Sequence, residues 1–336
     1  MLASLLNSFS AVAIIMMMIV IGWIFGKAGW MKKEQKSLII KFLINIAVPA
    51  ACIKNILQDI PKDMLSSAWI YVLLAATSML ITWGIGTLLA GLLKVDPEKK
   101  GGFIVMCAFS NSLFVGLPMC RELFGDEGVP YVMLFYLVNT FMFWTVGCYL
   151  IQRSGEYRQA MAAGLDADSL KSGSAKEPFA KRLLASLKKL ATPPLITLFV
   201  SIILLLVGFE PPQLVITLCS YLGDTVTPLA LLYVGFVLYE TGLKSIRIDL
   251  KLIIVTVMRF VVAPLLMLAL CRIAGIGGTG EGVMVIEAAM PVMTQSVVVS
   301  SSVGADEKSV AAGMSFTTLA CFVAIPLLML LIEFMG

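Results

Sequence analysis

Ser110, Asn111 and Ser112 stand at the centre of an apolar run that otherwise reads as a membrane span, and Gly116, Leu117 and Pro118 follow them. A second apolar run holds Pro291, Thr294 and Gln295 within AAMPVMTQS, residues 288–296. Hydroxyl, amide and proline at these places can break a helix and hydrogen-bond a ligand. A helix interrupted inside the membrane offers the first N–H groups of its second half, and that end carries roughly half a positive charge. Such a point favours an anion, particularly a carboxylate, and Asn111 adds its own amide hydrogens. Irregular backbone at that depth is tolerated only where it is buried or lines a cavity.

Asp224, Arg259 and Glu287 also fall inside apolar runs. Ionisable residues there are expected to face the interior or one another. Each is therefore a candidate for ion coupling, or for a structural pair such as Arg259 with Asp224. Lys41 and Lys54 lie near run ends, where a long side chain reaches back to the headgroups. The chain has no His, which excludes histidine metal sites and histidine general bases. A proton route would have to use Asp224 or Glu287. A sodium route would use backbone carbonyls with Ser110, Ser112, Thr294 or Ser296. The sequence leaves H+ and Na+ both open, and no cofactor or metal is expected. The absence of GxxxxGK[ST] argues against a nucleotide-driven pump. No Ser/His, paired-Asp or HExxH arrangement points to an enzyme.

The elements that must position these residues are apolar helices. The 336 residues are 59% hydrophobic and 14% charged, with a mean hydropathy of +0.96, which places the chain among integral membrane proteins. Crossing a bilayer core takes roughly 20 apolar residues. Ten runs approach that length, near 9–27, 38–57, 67–93, 102–120, 129–151, 193–209, 213–239, 251–275, 282–303 and 307–335. The seven cysteines lie inside or at the ends of these runs, with no CxxC, and read as small buried hydrophobes. The N-terminus lacks a basic segment and a cleavage site, so the first run is expected to be retained. Nineteen Lys and Arg follow odd-numbered runs, against Lys62, Arg121 and Arg272 on the other side. The positive-inside rule then puts both termini outside and the polar segment 152–192 in the cytoplasm. Within that segment, 179–190 spaces apolar residues against lysines as an interfacial amphipathic helix would.

The basic linker 152–192 divides the chain into a five-helix repeat over 1–151 and a second, inverted one over 193–336. Asn45 precedes Pro49 by four residues and Asp224 precedes Pro228 by four, so Pro49 and Pro228 read as corresponding helix breaks, alongside Pro118. FGDEG at 124–128 and VGADE at 303–307 echo each other in the same order. Interrupted helices in corresponding places of two inverted halves are the best sequence pointer to a transporter's binding site. If spans four and nine both unwind and cross, Ser110, Asn111, Ser112, Pro291, Thr294 and Gln295 form that site.

The segments SNSLFVGLP (110–118), INIAVPAACI (44–53), GDTVTPLALLYVGFVL (223–238), MRFVVAP (258–264) and AAMP (288–291) resemble, in this order, the auxin efflux carrier family. That family includes plant auxin exporters and bacterial malonate or malate permeases. The resemblance implies ten spans in a five-plus-five inverted repeat, with spans four and nine crossing at the substrate site. It also implies a scaffold of spans one, two, six and seven and a moving part of spans three to five and eight to ten. Asn111 matches the family's crossover asparagine and Pro291 its second crossover proline. Ser110 stands where plant members have the first crossover proline, and Val292 where they have a polar residue.

The function expected is secondary active transport of a small organic anion, such as malonate, malate or an auxin-like weak acid, by alternating access. A sodium-coupled symporter of the bile-acid type and a membrane anion sensor are the alternatives. The expected partners are the anion, the cell-membrane bilayer and a second copy of the chain as a homodimer, and no nucleic acid.

Overall fold

A computed structural model of the chain describes residues 2–58, 62–163, 193–242 and 248–335. The amphipathic stretch 179–190 lies outside the described residues. The described chain is all-helical, as expected where lipid offers no partner for a backbone group and each segment must satisfy its own. In order the α-helices are α1 (Leu2–Lys27), α2 (Lys33–Phe42), α3 (Val48–Gln58), α4 (Lys62–Leu92), α5 (Pro97–Ala108), α6 (Leu117–Phe124), α7 (Val129–Met142) and α8 (Cys148–Ala162). From residue 193 onward come α9 (Pro193–Leu206), α10 (Gln213–Gly223), α11 (Val226–Thr241), α12 (Leu250–Val257), α13 (Ala263–Ile273), α14 (Gly278–Ala288), α15 (Thr294–Ser302) and α16 (Glu307–Met335).

Among the described residues six stretches are long and apolar enough to cross a bilayer: Ser37–Lys54, Ser67–Leu92, Asp126–Ala162, Gln213–Thr241, Leu250–Ile273 and Glu307–Ile332. Ala13–Lys27 adds a shorter apolar stretch. The expected spans four and nine do not reach that length because each is broken into two short helices, α5 with α6 and α14 with α15.

The breaks follow a rule of proline geometry. A proline cannot donate to the carbonyl four residues back, and its ring crowds that carbonyl. Pro49, Pro118 and Pro264 each follow a π-helical turn, at Leu43–Ala47, Ser112–Gly116 and Met258–Val262. The wider turn moves the crowded carbonyl away while the helix continues. Pro228 lies four residues after Asp224, where α10 has ended and α11 is about to begin.

Packing joins the first helix to the second half of the sequence. A Cβ on Gly22 of α1 would collide with the Leu232 carbonyl of α11, and one on Gly235 of α11 with the Ile19 carbonyl of α1. Small residues let membrane helices approach to backbone contact, where dispersion rather than water drives association. One buried cluster then runs through Ile15, Cys52, Met119, Met133, Val234 and Cys321. A second runs through Tyr71, Phe135, Ile151, Met267 and Met284. All seven cysteines are buried.

Candidate functional site

α5 stops at Ala108 because Phe109 is extended (φ −106°, ψ 135°), and α14 stops at Ala288, with Met293 extended before α15 begins. The two unwound segments meet in an antiparallel bridge between Ser110 and Val292. Buried backbone groups must find partners, and here they do. The Asn111 N–H donates to the Pro291 carbonyl at 2.8 Å. The Ser110 N–H reaches Asn139 Oδ1 at 3.3 Å, and Asn139 Nδ2 donates to the Ser110 carbonyl at 2.8 Å. The Val292 N–H donates to Thr317 Oγ1 at 3.0 Å. Asn111 Nδ2 donates to Thr294 Oγ1 at 2.8 Å, linking the first turn of one resumed helix to that of the other.

Arg259 completes the arrangement. It is fully buried; its Nε donates to the Met290 carbonyl at 2.9 Å, and its Nη2 to the carbonyls of Ala288 and Met290 at 2.8 and 2.7 Å. A planar cation at the negative end of α14 replaces hydrogen bonds that the break removes. The expected pair with Asp224 is therefore corrected: Arg259 is engaged by backbone, and Asp224 lies elsewhere. Asp224 is half-exposed and pairs with Arg121 Nη2 at 3.0 Å and Lys54 Nζ at 3.8 Å. Arg121 Nε also meets Asp126 Oδ1 at 2.7 Å. The break before Pro228 turns Asp224 outwards, toward the end of α6.

Glu287 stays at the crossing. It is fully buried, its Oε1 accepts from Cys120 Sγ at 3.5 Å, and its Oε2 has no hydrogen-bond partner among the described residues. The Ser112 hydroxyl is likewise buried with no hydrogen-bond partner among the described residues. Gly116 leaves room for the Glu287 carboxyl, since a Cβ there would collide with Oε1. The other buried acid among the described residues, Glu281, is paired with Arg272 at 2.9 Å.

A cavity of about 210 Å³ adjoins the crossing. It touches the first turns of both resumed helices, through Leu113 and Phe114 on one and Thr294 and Gln295 on the other. Tyr136, Thr140, Trp144 and Tyr233 form much of the remaining wall, and no Lys or Arg lines it. Trp144, Val298 and Val299 also line it, and α8 and α15 continue beyond them to their ends. Those ends are tied together by Arg158 Nη1 to the Ala305 carbonyl at 2.6 Å and Gln159 Nε2 to the Val303 carbonyl at 3.1 Å. Of the sequence-predicted residues, Thr294 and Gln295 line the cavity. Ser110, Asn111, Ser112 and Pro291 are buried in the crossing behind it. Sequence reasoning missed Asn139 and Thr317, each a polar residue in an apolar helix, which is the signal that marks them.

Residues 7–329 match the family described as membrane transport protein. An uncharacterized transporter of Methanocaldococcus jannaschii is 25% identical over 315 residues, covering 91% of this chain and 93% of the relative. An uncharacterized transporter of Methanothermobacter thermautotrophicus is 24% identical over 322 residues, covering 96% of this chain and 97% of the relative.

Proposed function

The chain belongs to the membrane transport protein family, the auxin efflux carriers, and on that premise we propose that this multi-pass transporter is a secondary carrier of small organic anions. The observation that carries the reading is the cavity against the first turns of two resumed helices. Both turns present N–H groups and a partial positive charge, so one anionic group is favoured there without a cationic side chain. The aromatic and aliphatic wall suits an apolar body attached to it. A weak monocarboxylic acid of auxin-like character fits these surroundings better than malonate or malate, whose second carboxylate would meet an apolar wall. At about 210 Å³ the cavity lies just below the roughly 300–1,000 Å³ usual for small-molecule sites, which favours a small substrate.

Alternating access follows from where the walls come from. Ile40, Ile44 and Tyr233 belong to the proposed scaffold, and Phe114, Tyr136, Thr140, Thr294 and Gln295 to the proposed moving part. Motion of one against the other closes the cavity on the face shared by the ends of α8 and α15. The basic connections assign that face, with 152–192, to the cytoplasm. Glu287, buried with one oxygen unpartnered at the crossing, favours a proton over sodium as the coupling ion.

Proteoliposome uptake tests the reading directly. Labelled weak acids, with malonate and malate beside them, should accumulate in vesicles containing the protein and not in empty ones. Saturable binding of the same acids without any flux would replace transport by anion sensing. Sodium-dependent uptake insensitive to a pH gradient would favour the bile-acid type of symport.

A further inference from the structure

A second cavity, of about 400 Å³, opens on the face where α5, α12 and α16 begin. Lys99, Lys251 and Lys308, one from each of these helices, line it together with Asp249 and Ser309. The acids nearby are largely engaged. Asp249 Oδ1 accepts from the Leu252 N–H at 2.8 Å as the cap of α12. Asp96 and Glu98 lie 3.3 and 3.9 Å from Lys99, and Asp306 accepts from Ser309 Oγ at 2.6 Å. Neither Lys251 nor Lys308 has an ion-pair partner among the described residues. Two unmatched ammonium groups thus converge on one concavity, with three helix N-termini adding positive potential.

The surroundings indicate what kind of anion belongs there. Ile248, Leu250, Ile253, Val257 and Val261 are exposed apolar residues in and just before the span that starts with α12. The last four recur at helical spacing, as a lipid-facing stripe does. The cavity stands beside the start of this stripe, at the level where a helix leaves the hydrocarbon and enters the headgroups. Lysine is a point-charge binder of phosphate oxygens, and basic pockets between membrane helices suit anionic lipid heads. We propose that Lys99, Lys251 and Lys308 form a binding site for a phosphate-bearing anion, with the headgroup of an anionic phospholipid as its occupant and the acyl chains along the α12 stripe. The site is separate from the cavity at the crossing and does not depend on the transported substrate.

Native mass spectrometry of the full-length protein in detergent tests this, with titrations of phosphatidylglycerol, phosphatidylcholine and inorganic phosphate. Phosphatidylglycerol should bind in preference to phosphatidylcholine. Lys251→Gln with Lys308→Gln should weaken it by about fivefold for each lysine removed, from the roughly 1 kcal/mol that one basic residue contributes at a lipid surface. The Lys251→Arg with Lys308→Arg protein should keep most of the affinity, separating lost charge from lost fold. Lys32→Gln with Lys33→Gln, on another connection, should leave it unchanged. Lysine-dependent binding of inorganic phosphate, without preference for phosphatidylglycerol, would keep the phosphate site and make its source soluble. Equal loss in the Lys32/Lys33 control, or no loss in the Lys251/Lys308 protein for either probe, overturns the proposal.

Discussion

Arg121 Nη2 lies 3.0 Å from Asp224 Oδ1, joining the end of α6 to the gap between α10 and α11. The cavity at the crossing is lined instead by Val298 and Val299 of α15, the helix whose end is tied to α8. Under the proposed alternating access, the clasp of Arg121 on Asp224 is one of the contacts that the cycle would make and break.

Loosening the clasp should shift that balance. Partly exposed ion pairs contribute within about 1 kcal/mol, so Asp224→Asn should change the ratio of the two states by up to about fivefold. The measurement is the rate at which an impermeant thiol reagent labels Val298→Cys, which should fall as the cavity closes more often. An unchanged rate would show that the pair holds nothing shut.

Asn111 should matter through charge more than shape. Asn111→Asp nearly preserves volume but replaces the donor to Thr294, which lines the cavity, with a carboxylate behind the proposed anion site. Two like charges about 4 Å apart repel by about 4 kcal/mol at an effective dielectric of 20, which is roughly a thousandfold in affinity. Asn111→Ser should lose less, since a hydroxyl still donates. Uptake should rank Asn above Ser above Asp at equal membrane expression. An ionised Asp variant that carries an anion normally removes the crossing from the substrate path.

Arg259 is expected to be structural. Arg259→Met leaves the carbonyls of Ala288 and Met290 buried without their donor, a loss of about 3 kcal/mol or more for hydrogen bonds to a charged group. Asp224→Asn should cost far less, and the double variant should show the sum of the two. Thermal unfolding in detergent reads all three. Recovery in the double variant would mean that the charges are coupled after all.

Glu287→Gln keeps the size and removes the titratable group. If the proton is the coupling ion, this protein should bind substrate yet lose the response of uptake to an imposed pH gradient. An undiminished response would assign coupling elsewhere.

Much of this was legible in the sequence because lipid imposes strong rules. Apolar runs became helices, and the polar triplet at 110–112 and the proline at 291 fell at the crossing. Arg259 was misread because its partners are backbone carbonyls, which carry no residue signature and become free only once Pro291 breaks α14. Asp224 lies within span seven as expected, but its partners Arg121 and Lys54 come from distant parts of the chain and could not be read from its neighbours. Asn139 and Thr317 had no neighbouring motif; their role arises only when two unwound segments from distant parts of the chain need partners.

The π-helical turns ahead of Pro49, Pro118 and Pro264 bear on inheritance. Those at 43–47 and 258–262 behave as one residue inserted into an α-helix and that at 112–116 as one added to the first turn of a resumed helix, so deleting a residue from any of them restores ordinary winding. It also swings the downstream helix by about 100°. After Ser112–Gly116 that rotation would carry Cys120 off Glu287 and Arg121 off Asp224. Length at these three places is therefore a coordinate of the mechanism, and natural variants should lose a residue in a surface connection more readily than here.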